Sequence, residues 1–381
     1  MSTSPVKTQR KILILTQPLR HNYGGVLQAY ALQKVLRKMG HQVWTEDRLS
    51  DSTVLKRSIS VRVKNFIYFL VKKRRWIISD LVAFRSSTHG FIKSNIRLTP
   101  ITRSNTKENL LKYGFDTYIV GSDQVWRPVY SPFLYNYFLD FTKDINVKRI
   151  AYAASFGSDE WEFTSEQTSY CASLLKKFDA VSVREKTAVR LCEKHFDVEA
   201  VQTLDPTLLL KKEDYLPFVQ KVSSKKGEKY VTGYILDADP VKWKIMSEVS
   251  NKLQYKENQI AFFPDSQNKK QDSYLSIEDW LSQIYHASFV VTDSFHGCVF
   301  AILFNKPFVA IENAERGSTR FYSLFDLLGL QDRLVNSYDD FLRKKEELLF
   351  SPINYEQVNA TLGIERTDSI RFLQCALAST F

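Results

Sequence analysis

Short apolar strands alternate with amphipathic helices along most of this chain. Residues 11–17 (KILILTQ) form an apolar run, residues 26–39 carry apolar side chains at helical spacing up to Gly40, and residues 42–47 regain strand character. A strand, a helix and a second strand in this order close into a parallel pair through a right-handed crossover. The sequence therefore predicts an α/β protein built on parallel sheets.

The alternation comes in two series, separated by a polar stretch. At 381 residues the chain suits two domains of about 150–200 residues each. The predicted fold is two Rossmann-like, doubly wound domains that face a cleft, as in the GT-B glycosyltransferases. The predicted division is an N-terminal domain at 1–210 with a basic helical insertion at about 50–110, a linker at 211–228, a C-terminal domain at 229–335, and helices at 336–381 that pack back on the N-terminal domain.

The net charge of +11 is concentrated in one segment. Residues 52–79 contain eight basic side chains and no acidic one, interleaved with aromatic and aliphatic residues. Such a helix can lie on an anionic membrane surface, or it can pack its apolar face on the domain as an ordinary insertion. No helix-turn-helix, zinc-finger or RNP pattern accompanies the charge, so we predict no nucleic-acid partner.

The cysteines and the apolar runs indicate the cellular compartment of the protein. Four cysteines are widely spaced, without a CxxC pair or the ligand spacing of a zinc site (Cys171, Cys192, Cys298, Cys375). Apolar residues 12–15 are too few for the core of a signal peptide, and no segment approaches the roughly 20 apolar residues of a spanning helix. We predict a cytoplasmic protein, with peripheral contact at the inner face of the membrane as an open alternative.

The segment 289–297 (FVVTDSFHG) is the first candidate site. It predicts a buried strand that delivers polar residues to the first turn of a helix (Ser294, Phe295, His296, Gly297). Backbone N–H groups and the positive end of the helix dipole then point into a crevice at the carboxyl edge of the sheet. A histidine there can bind an anion or move a proton; the alternative is a buried histidine that caps its own helix.

Three further groups of residues follow predicted strands. Paired glycines after the first strand let backbone amides approach an anion, although a plain tight turn is equally compatible (Asn22, Tyr23, Gly24, Gly25, Gln28). Small and acidic residues follow the strand at 117–120 (Ser122, Asp123, Gln124, Trp126). Asp123 could accept a proton and Trp126 could stack on a sugar, against the alternative of a helix-capping aspartate and a packed tryptophan.

Three arginines form the last group of candidate site residues. Arg184 ends one predicted strand, and Arg316 and Arg320 flank a Gly-Ser-Thr turn after another. Guanidinium groups grip carboxylates and phosphates with two parallel hydrogen bonds, although pairing with Glu185 or simple solvation are alternatives. Strand ends from both predicted domains meet at one cleft, which favours a joint site.

At these motifs the chain resembles the polysaccharide pyruvyl transferase family. The matching segments, from about residue 11 to about 334 without the insertion, are 22–33 (NYGGVLQAYALQ), 119–126 (IVGSDQVW), 181–186 (VSVREK), 203–210 (TLDPTLLL), 291–297 (VTDSFHG) and 316–330. The resemblance implies a GT-B-like fold. It also implies transfer of a pyruvyl group from phosphoenolpyruvate to sugar hydroxyls of exopolysaccharide or capsule precursors, forming a cyclic ketal. We predict no cofactor, and no metal because His286 and His296 lack the spacing of a helical metal pair.

The resemblance also implies roles for individual residues. The family's active-site histidine falls on His296, its strand-end arginine on Arg184, and a downstream basic residue on Arg316 or Arg320. Many members carry arginine two positions before the histidine, where this chain has Ser294, so an anion-binding group is missing or supplied elsewhere.

The predicted assignment combines these roles with the residues at the strand ends, and it has two catalytic residues and two binding sets. His296 protonates C3 of the donor and Asp123 assists the sugar hydroxyl. The expected donor set is Arg184, Arg316, Arg320, Ser294, Phe295, Gly297, Gly24 and Gly25. The expected acceptor set, for a sugar or lipid-linked oligosaccharide, is Asn22, Tyr23, Gln28, Ser122, Gln124 and Trp126.

Two other functions stay open at this point. One is a nucleotide-sugar-dependent glycosyltransferase of the same architecture, in which Glu312 or Glu315 would contact the ribose. The other is a non-catalytic relative that binds a glycan or a membrane.

Overall fold

The computed structural model describes residues 9–20, 22–48, 78–100, 110–220, 228–237, 239–261, 275–313 and 316–378. The basic segment predicted at 52–79 lies outside these residues up to position 77, and so does Glu315. Among the described helices, none has the length and apolar character needed to cross a bilayer.

The first domain is built on a six-stranded parallel sheet. Its strands are β1 (Lys11–Leu15), β2 (Gln42–Thr45), β3 (Thr117–Gly121), β4 (Lys148–Ala154), β5 (Ala180–Val183) and β6 (Val201–Gln202). Its helices are α1 (Tyr23–Lys38), α2 (Ile78–Asn95), α3 (Ser165–Leu175), α4 (Lys186–Phe196), α5 (Pro206–Leu209) and α6 (Lys212–Val219). The strand order is β2-β1-β3-β4-β5-β6. The central strands β3 and β4 are buried along their whole length because helices cover both faces of the sheet.

The second domain is built on a five-stranded parallel sheet. Its strands are β7 (Tyr230–Ile235), β8 (Lys256–Ala261), β9 (Phe289–Thr292), β10 (Phe308–Ile311) and β11 (Leu334–Val335). The helices that follow in the chain are α7 (Pro240–Leu253), α8 (Ile277–His286), α9 (Phe295–Leu303), α10 (Thr319–Leu328), α11 (Tyr338–Phe350) and α12 (Tyr355–Ala378). The strand order is β11-β10-β9-β7-β8.

Each sheet reverses its winding direction once. In the first sheet the chain passes from β1 to β2 on one side, and β3 then pairs with β1 on the other. In the second sheet β8 and β9 flank β7 in the same way. The loops at the carboxyl ends of such strands diverge and leave a crevice, where ligands of doubly wound domains bind.

The two C-terminal helices pack on different domains. In α12, the Arg366 side chain donates to the carbonyl of Leu208 at 2.8 Å, and the Ser369 hydroxyl accepts from the N–H of Leu204 at 3.0 Å. The expectation that both helices return to the first domain is wrong for α11. That helix buries an apolar stripe, which includes Phe341, in the core of the second domain.

The segment predicted as a linker at 211–228 is partly folded. Tyr215, Phe218 and Val219 of helix α6 are buried, and this helix packs on α8. The spacing of these three side chains places them on one helical face, and their burial makes this half of the segment part of the domain contact. Residues 221–227 lie outside the described part of the chain.

Candidate active site

A cavity of about 270 Å³ lies where the two reversal points of the sheets face each other. The first domain contributes the loops after β1 and β3, and the second contributes the loops after β7, β9 and β10. Its lining comprises Gln17, Asn22, Asp123, Gln124, Tyr130, Leu236, Asp293, Ser294, Phe295, His296, Arg316 and Arg320. Half of the sixteen predicted site residues therefore meet at this cavity.

His296 lies in the first turn of α9, directly against the first domain. Ser294 caps this helix, and its hydroxyl accepts a hydrogen bond from the N–H of Gly297 at 3.3 Å. The His296 side chain is 7% exposed. A Cβ atom added at Gly24 would lie 2.0 Å from Nδ1 of His296. The histidine therefore packs on the bare backbone of α1, and a residue without a side chain is required there.

Asp205, at the N-terminus of α5, joins the histidine to the first domain. Its Oδ2 atom accepts from Nη1 of Arg184 at 2.8 Å and from the Ser122 hydroxyl at 2.9 Å, and it lies 3.6 Å from Nε2 of His296. The last distance is that of an ion pair and is too long for a hydrogen bond. Oδ1 accepts from the N–H and the hydroxyl of Thr207 at 3.0 and 2.6 Å. Asp205 was not among the predicted site residues, although it stands in the TLDPTLLL motif.

The surroundings of Asp205 keep it charged. Burial by itself would raise the pKa of this carboxyl group, but the neighbouring His296 and Arg184 lower it further than burial raises it. The net pKa of Asp205 lies well below its usual range. A fixed negative charge therefore stands beside the imidazole at any pH near neutrality.

Two guanidinium groups lie against one aromatic ring of the site. The Cζ atoms of Arg184 and Arg320 are 4.7 and 5.5 Å from the centroid of Phe295. Burial lowers the pKa of Arg184, but Glu185 and Asp205 outweigh it and the net pKa is raised. Burial together with the charge of Arg184 instead lowers the pKa of Arg320 to about 10. Arg320 is thus the less compensated cation of the pair.

The hydrogen bonds of these arginines leave room for a ligand. Nη2 of Arg320 donates to the carbonyl of Arg316 at 2.6 Å, whereas Nη2 of Arg184 is buried without a hydrogen-bond partner among the described residues. An unsatisfied guanidinium nitrogen beside a second buried cation forms a local excess of positive charge. Arg184 does not line the 270 Å³ cavity but a cavity of about 20 Å³ that shares Phe295 and Arg320 with it, so an anion bound beside Arg320 and Phe295 would relieve this excess.

Arg316 is engaged differently from Arg320. Its Nε and Nη2 atoms donate to Oδ1 of Asp237 at 3.0 and 2.7 Å. Burial works to lower the pKa of Arg316, but the carboxylate of Asp237 raises it overall. The carbonyl of Arg316 accepts from the Gln124 side chain at 3.2 Å across the cleft. Arg316 therefore holds the loop before α10 against the first domain.

Asp123 and Asn22 lie on the first-domain wall of the cavity. Asp123 adopts a left-handed backbone conformation with φ of 71°, which turns the chain sharply after β3. Its Oδ1 accepts from the N–H of Gln124 at 2.9 Å, and Oδ2 would lie 3.2 Å from a Cβ added at Gly25. Asn22 caps α1 by accepting from the N–H of Gly25 at 3.1 Å. Both side chains therefore surround the N-terminus of α1.

The prediction that Trp126 stacks on a sugar is wrong. Its side chain is fully buried, its Nε1 donates to the carbonyl of Tyr137 at 2.9 Å, and its ring stacks on Phe138 at 5.2 Å. The backbone turn at Asp123 directs the Trp126 ring towards the core, where it packs in the apolar cluster that also contains Phe138 and Phe156. Trp126 is a core residue of the first domain.

Three other residues expected to bind the acceptor are also enclosed. Tyr23 stacks on Trp280 at 5.5 Å, so it packs between the two domains. Gln28 is fully buried and donates to the Thr16 hydroxyl at 2.8 Å. Ser122 is fully buried too, with its hydroxyl on Asp205. None of the three lines the cavity in the described part of the chain, because each satisfies a contact inside the protein.

A family model described as polysaccharide pyruvyl transferase matches residues 22–315. The chain belongs to the polysaccharide pyruvyl transferase family. The matched span runs from the cap of α1 to the loop before α10, and it contains Asp123, Arg184, Asp205 and His296. Membership in this family makes the protein a transferase of polysaccharide biosynthesis. Arg320 lies just beyond the matched residues.

Similar solved structures share the fold at low sequence identity. The putative UDP-N-acetylglucosamine 2-epimerase of Listeria monocytogenes has a TM-score of 0.54 and 10% identity, covering 98% of each chain. The UDP-GlcNAc 2-epimerase of Neisseria meningitidis bound to UDP-GlcNAc has a TM-score of 0.53 and 10% identity, covering 96% of this chain and 100% of that one. Arabidopsis thaliana UGT89C1 complexed with UDP-L-rhamnose has a TM-score of 0.54 and 8% identity, covering 98% of this chain and 100% of that one. No curated protein sequence matches the chain. The fold is GT-B-like.

Proposed function

We propose that the protein transfers the pyruvyl group of phosphoenolpyruvate to two hydroxyl groups of one sugar in a polysaccharide precursor, forming a cyclic ketal. The single observation that carries this proposal is the placement of Arg184, Arg320 and His296 around Phe295 at the cleft. Two cations suit a small donor with a phosphate and a carboxylate, and the histidine supplies a proton. Family membership supports the same reaction.

The donor would be held from both domains. Arg184 of the first domain has a free Nη2 atom among the described residues, and Arg320 of the second lacks a carboxylate within ion-pair distance there. Arg316 is already paired with Asp237, so Arg320 is the better donor clamp. Arg320 would also supply the positive charge that many family members place two residues before the histidine, where this chain has Ser294.

The chemistry assigns one proton transfer to each catalytic group. His296 protonates C3 of phosphoenolpyruvate, which makes C2 electrophilic, and the first sugar hydroxyl attacks C2 as Asp123 takes up its proton. The bond from C2 to the phosphate oxygen then breaks, and the second hydroxyl forms the second bond to C2. One hydroxyl proton replaces the proton given to C3, and the other leaves with inorganic phosphate.

Asp205 would act through the histidine. Its charge lies 3.6 Å from Nε2 of His296, and its remaining bonds to Ser122, Arg184 and Thr207 fix its position. A carboxylate in this place holds the ring in one orientation and interacts favourably with it when it carries a proton. Asp205 is therefore a positioning residue in the proposed mechanism.

A donor screen tests the proposal. Calorimetric titrations of the full chain with phosphoenolpyruvate, UDP-glucose and UDP-GlcNAc should show binding of phosphoenolpyruvate, weakened at least tenfold by Arg184→Gln. Phosphate release with a mixture of sugar acceptors, and a new ketal methyl signal in proton NMR, would follow the transfer itself. Binding of a UDP-sugar with no response to phosphoenolpyruvate would overturn it.

Nucleotide-sugar transfer is the second candidate, because two similar structures are complexed with UDP-GlcNAc and UDP-L-rhamnose. Of the two residues predicted to contact a ribose, Glu312 accepts from the Tyr322 hydroxyl at 3.0 Å, and Glu315 lies outside the described residues. A lipid-linked acceptor and contact with the inner membrane face through 52–79 belong to the main proposal. Flotation with anionic vesicles at low and high salt would test that contact.

A further inference from the structure

Tyr130 is an exposed aromatic side chain at the mouth of the cavity. It belongs to a short 3-10 helix, Pro128–Tyr130, and it lines the cavity together with Asp123 and His296. Its side chain is 40% exposed, whereas Trp126, four residues earlier, is fully buried. The proline at the start of this 3-10 helix redirects the chain, so the aromatic surface expected from Trp126 is offered by Tyr130.

The Tyr130 ring is held in place from within the protein. The guanidinium carbon of Arg127 lies 4.8 Å from the ring centroid. Arg127 is itself fixed, because Nε and Nη2 donate to Glu162 at 3.1 and 2.9 Å and Nη1 donates to Gln124 at 3.3 Å. An aromatic ring held in this way loses little conformational freedom when a ligand stacks on it.

A second cavity, of about 350 Å³, adjoins the segment that carries Tyr130, since Pro128 and Ser131 line it. Gln17 lines the first cavity, and its side chain donates at 2.9 Å to the Ser131 hydroxyl, which lines the second. The two cavities are therefore separated by one short stretch of chain. We call the second cavity the outer groove; it is lined by Pro128, Ser131, Pro132, Phe133, Leu134, Tyr135, Asn136, Asp140 and Gln167.

The lining of the outer groove suits a neutral saccharide. It combines partly exposed rings, Phe133 and Tyr135, with the polar side chains of Asn136 and Asp140. Pyranose rings present apolar faces to aromatic rings and hydroxyl groups to amides and carboxylates. The groove contains no basic side chain among its described lining residues, so it does not suit a phosphate or a lipid diphosphate.

We infer that Tyr130 and the outer groove form the acceptor subsite. The reacting sugar stacks on the Tyr130 ring inside the cavity, and the next sugar of the acceptor lies in the outer groove near Asn136. This inference rests on the proposed function for the identity of the reaction. It concerns saccharide binding alone, which can be measured without any donor.

Saturation-transfer NMR on the full chain tests the subsite. The probes are methyl glycosides of glucose, galactose, mannose and their N-acetyl derivatives, together with the matching disaccharides. We expect at least one glycoside to bind, with affinity reduced about tenfold or more by Tyr130→Ala and kept within about twofold by Tyr130→Phe. Asn136→Ala should weaken the disaccharide and leave the methyl glycoside unchanged.

Phe350→Ala is the control, because Phe350 is an exposed ring on α11, more exposed than Tyr130, and it lines neither cavity. It should leave saccharide binding unchanged, and the melting temperature of every variant should confirm folding. Tyr130→Leu serves as a second variant if Tyr130→Ala fails to fold, and it should weaken binding as well. Saccharide binding that survives loss of the ring, or an absence of signal from every probe, would overturn the inference. A separate titration with phosphoenolpyruvate shows whether the donor proposal fails independently.

Discussion

The Nε2 atom of His296, in the second domain, lies 3.6 Å from Oδ2 of Asp205, in the first. The same carboxylate holds Arg184 and Ser122 of its own domain. The proposed proton donor is therefore positioned by the opposite side of the cleft. This arrangement makes the reaction depend on how the two domains meet, since neither domain alone contains the complete set.

Replacement of the histidine should remove most of the activity. We expect His296→Gln to lower kcat by about 10²–10⁴-fold, the usual contribution of a general acid, with little change in affinity for phosphoenolpyruvate. Phosphate release under saturating donor measures the loss. His286→Gln is the control, since His286 lies at the end of α8 and bonds to its own helix through the carbonyl of Ser282. Near-normal phosphate release by His296→Gln would rule out its role as the acid.

Asp205→Asn should lower the stability of the protein in a pH-dependent way, because it removes the negative charge beside His296. The pKa of Asp205 is lowered in the folded state, so its charge stabilises the fold above the unfolded pKa of about 4, and this contribution is lost as the pH falls. We expect the variant to be about 3 kcal/mol less stable at pH 7, with the difference shrinking below about pH 4. Urea unfolding at several pH values measures it. A difference independent of pH would contradict the charge argument.

The same variant should also affect the reaction. We expect kcat to fall and the pH dependence of kcat to change, because the imidazole loses its neighbouring charge while the packing stays nearly the same. A loss of stability with an unchanged pH profile would show that Asp205 is structural only.

Gly24→Ala should displace the imidazole of His296 without removing any side chain of the site. The added Cβ atom would meet Nδ1 of His296 at 2.0 Å, a separation that forces either the ring or α1 to move. We expect kcat to fall at least tenfold, because a shift of about 1 Å at a reacting group can cost 100-fold. Gly363→Ala is the matched control. Gly363 lies in α12 with no atom within 4 Å of the added carbon, so this change should raise stability by about 0.5–1 kcal/mol and keep activity.

Arg320 and Arg316 should differ in their effect on the donor. Arg320→Gln should raise the KM for phosphoenolpyruvate by about 10- to 100-fold, since a hydrogen bond to a charged group is worth about 1.5–3 kcal/mol. Arg316→Gln breaks the pair with Asp237 and should mainly loosen the loop, with a smaller rise in KM. Steady-state kinetics of both variants make the comparison. A larger effect from Arg316 would reverse the assignment.

Trp126→Phe should change stability and leave acceptor binding unaltered. The smaller ring leaves a gap in the core and removes the hydrogen bond to the carbonyl of Tyr137, at a cost of about 2–3 kcal/mol. Thermal unfolding measures the cost, and acceptor KM at a temperature well below the transition provides the comparison. A selective rise in acceptor KM would restore the original prediction that Trp126 contacts a sugar.

Strand ends explain why much of the candidate site could be anticipated. Apolar runs such as 11–17 and 289–292 place polar residues at the carboxyl edge of a parallel sheet, because a strand must leave the core where its apolar run stops. Asp123 and His296 follow from that rule. Asp205 also follows a strand end, that of β6, but its importance comes from Arg184, Ser122 and His296, which are distant in the chain.

The sequence pattern does not predict in which direction a loop side chain points. Trp126 and Tyr130 stand four residues apart in one loop, and both are aromatic residues after the same strand. Only one is exposed, because the turn at Asp123 and the 3-10 helix at Pro128–Tyr130 decide which ring meets the core. No local periodicity distinguishes the two.

The sequence alone determined the class of fold and the family, since alternating apolar segments and ordered motifs are properties of neighbouring residues. The tertiary structure decided which of the candidates meet. It placed His296 on the backbone of Gly24 and beside Asp205, and it paired Arg316 with a carboxylate while leaving the charge of Arg320 less compensated. These outcomes depend on contacts between the two domains, where burial, charge and packing act over distances that no local pattern encodes.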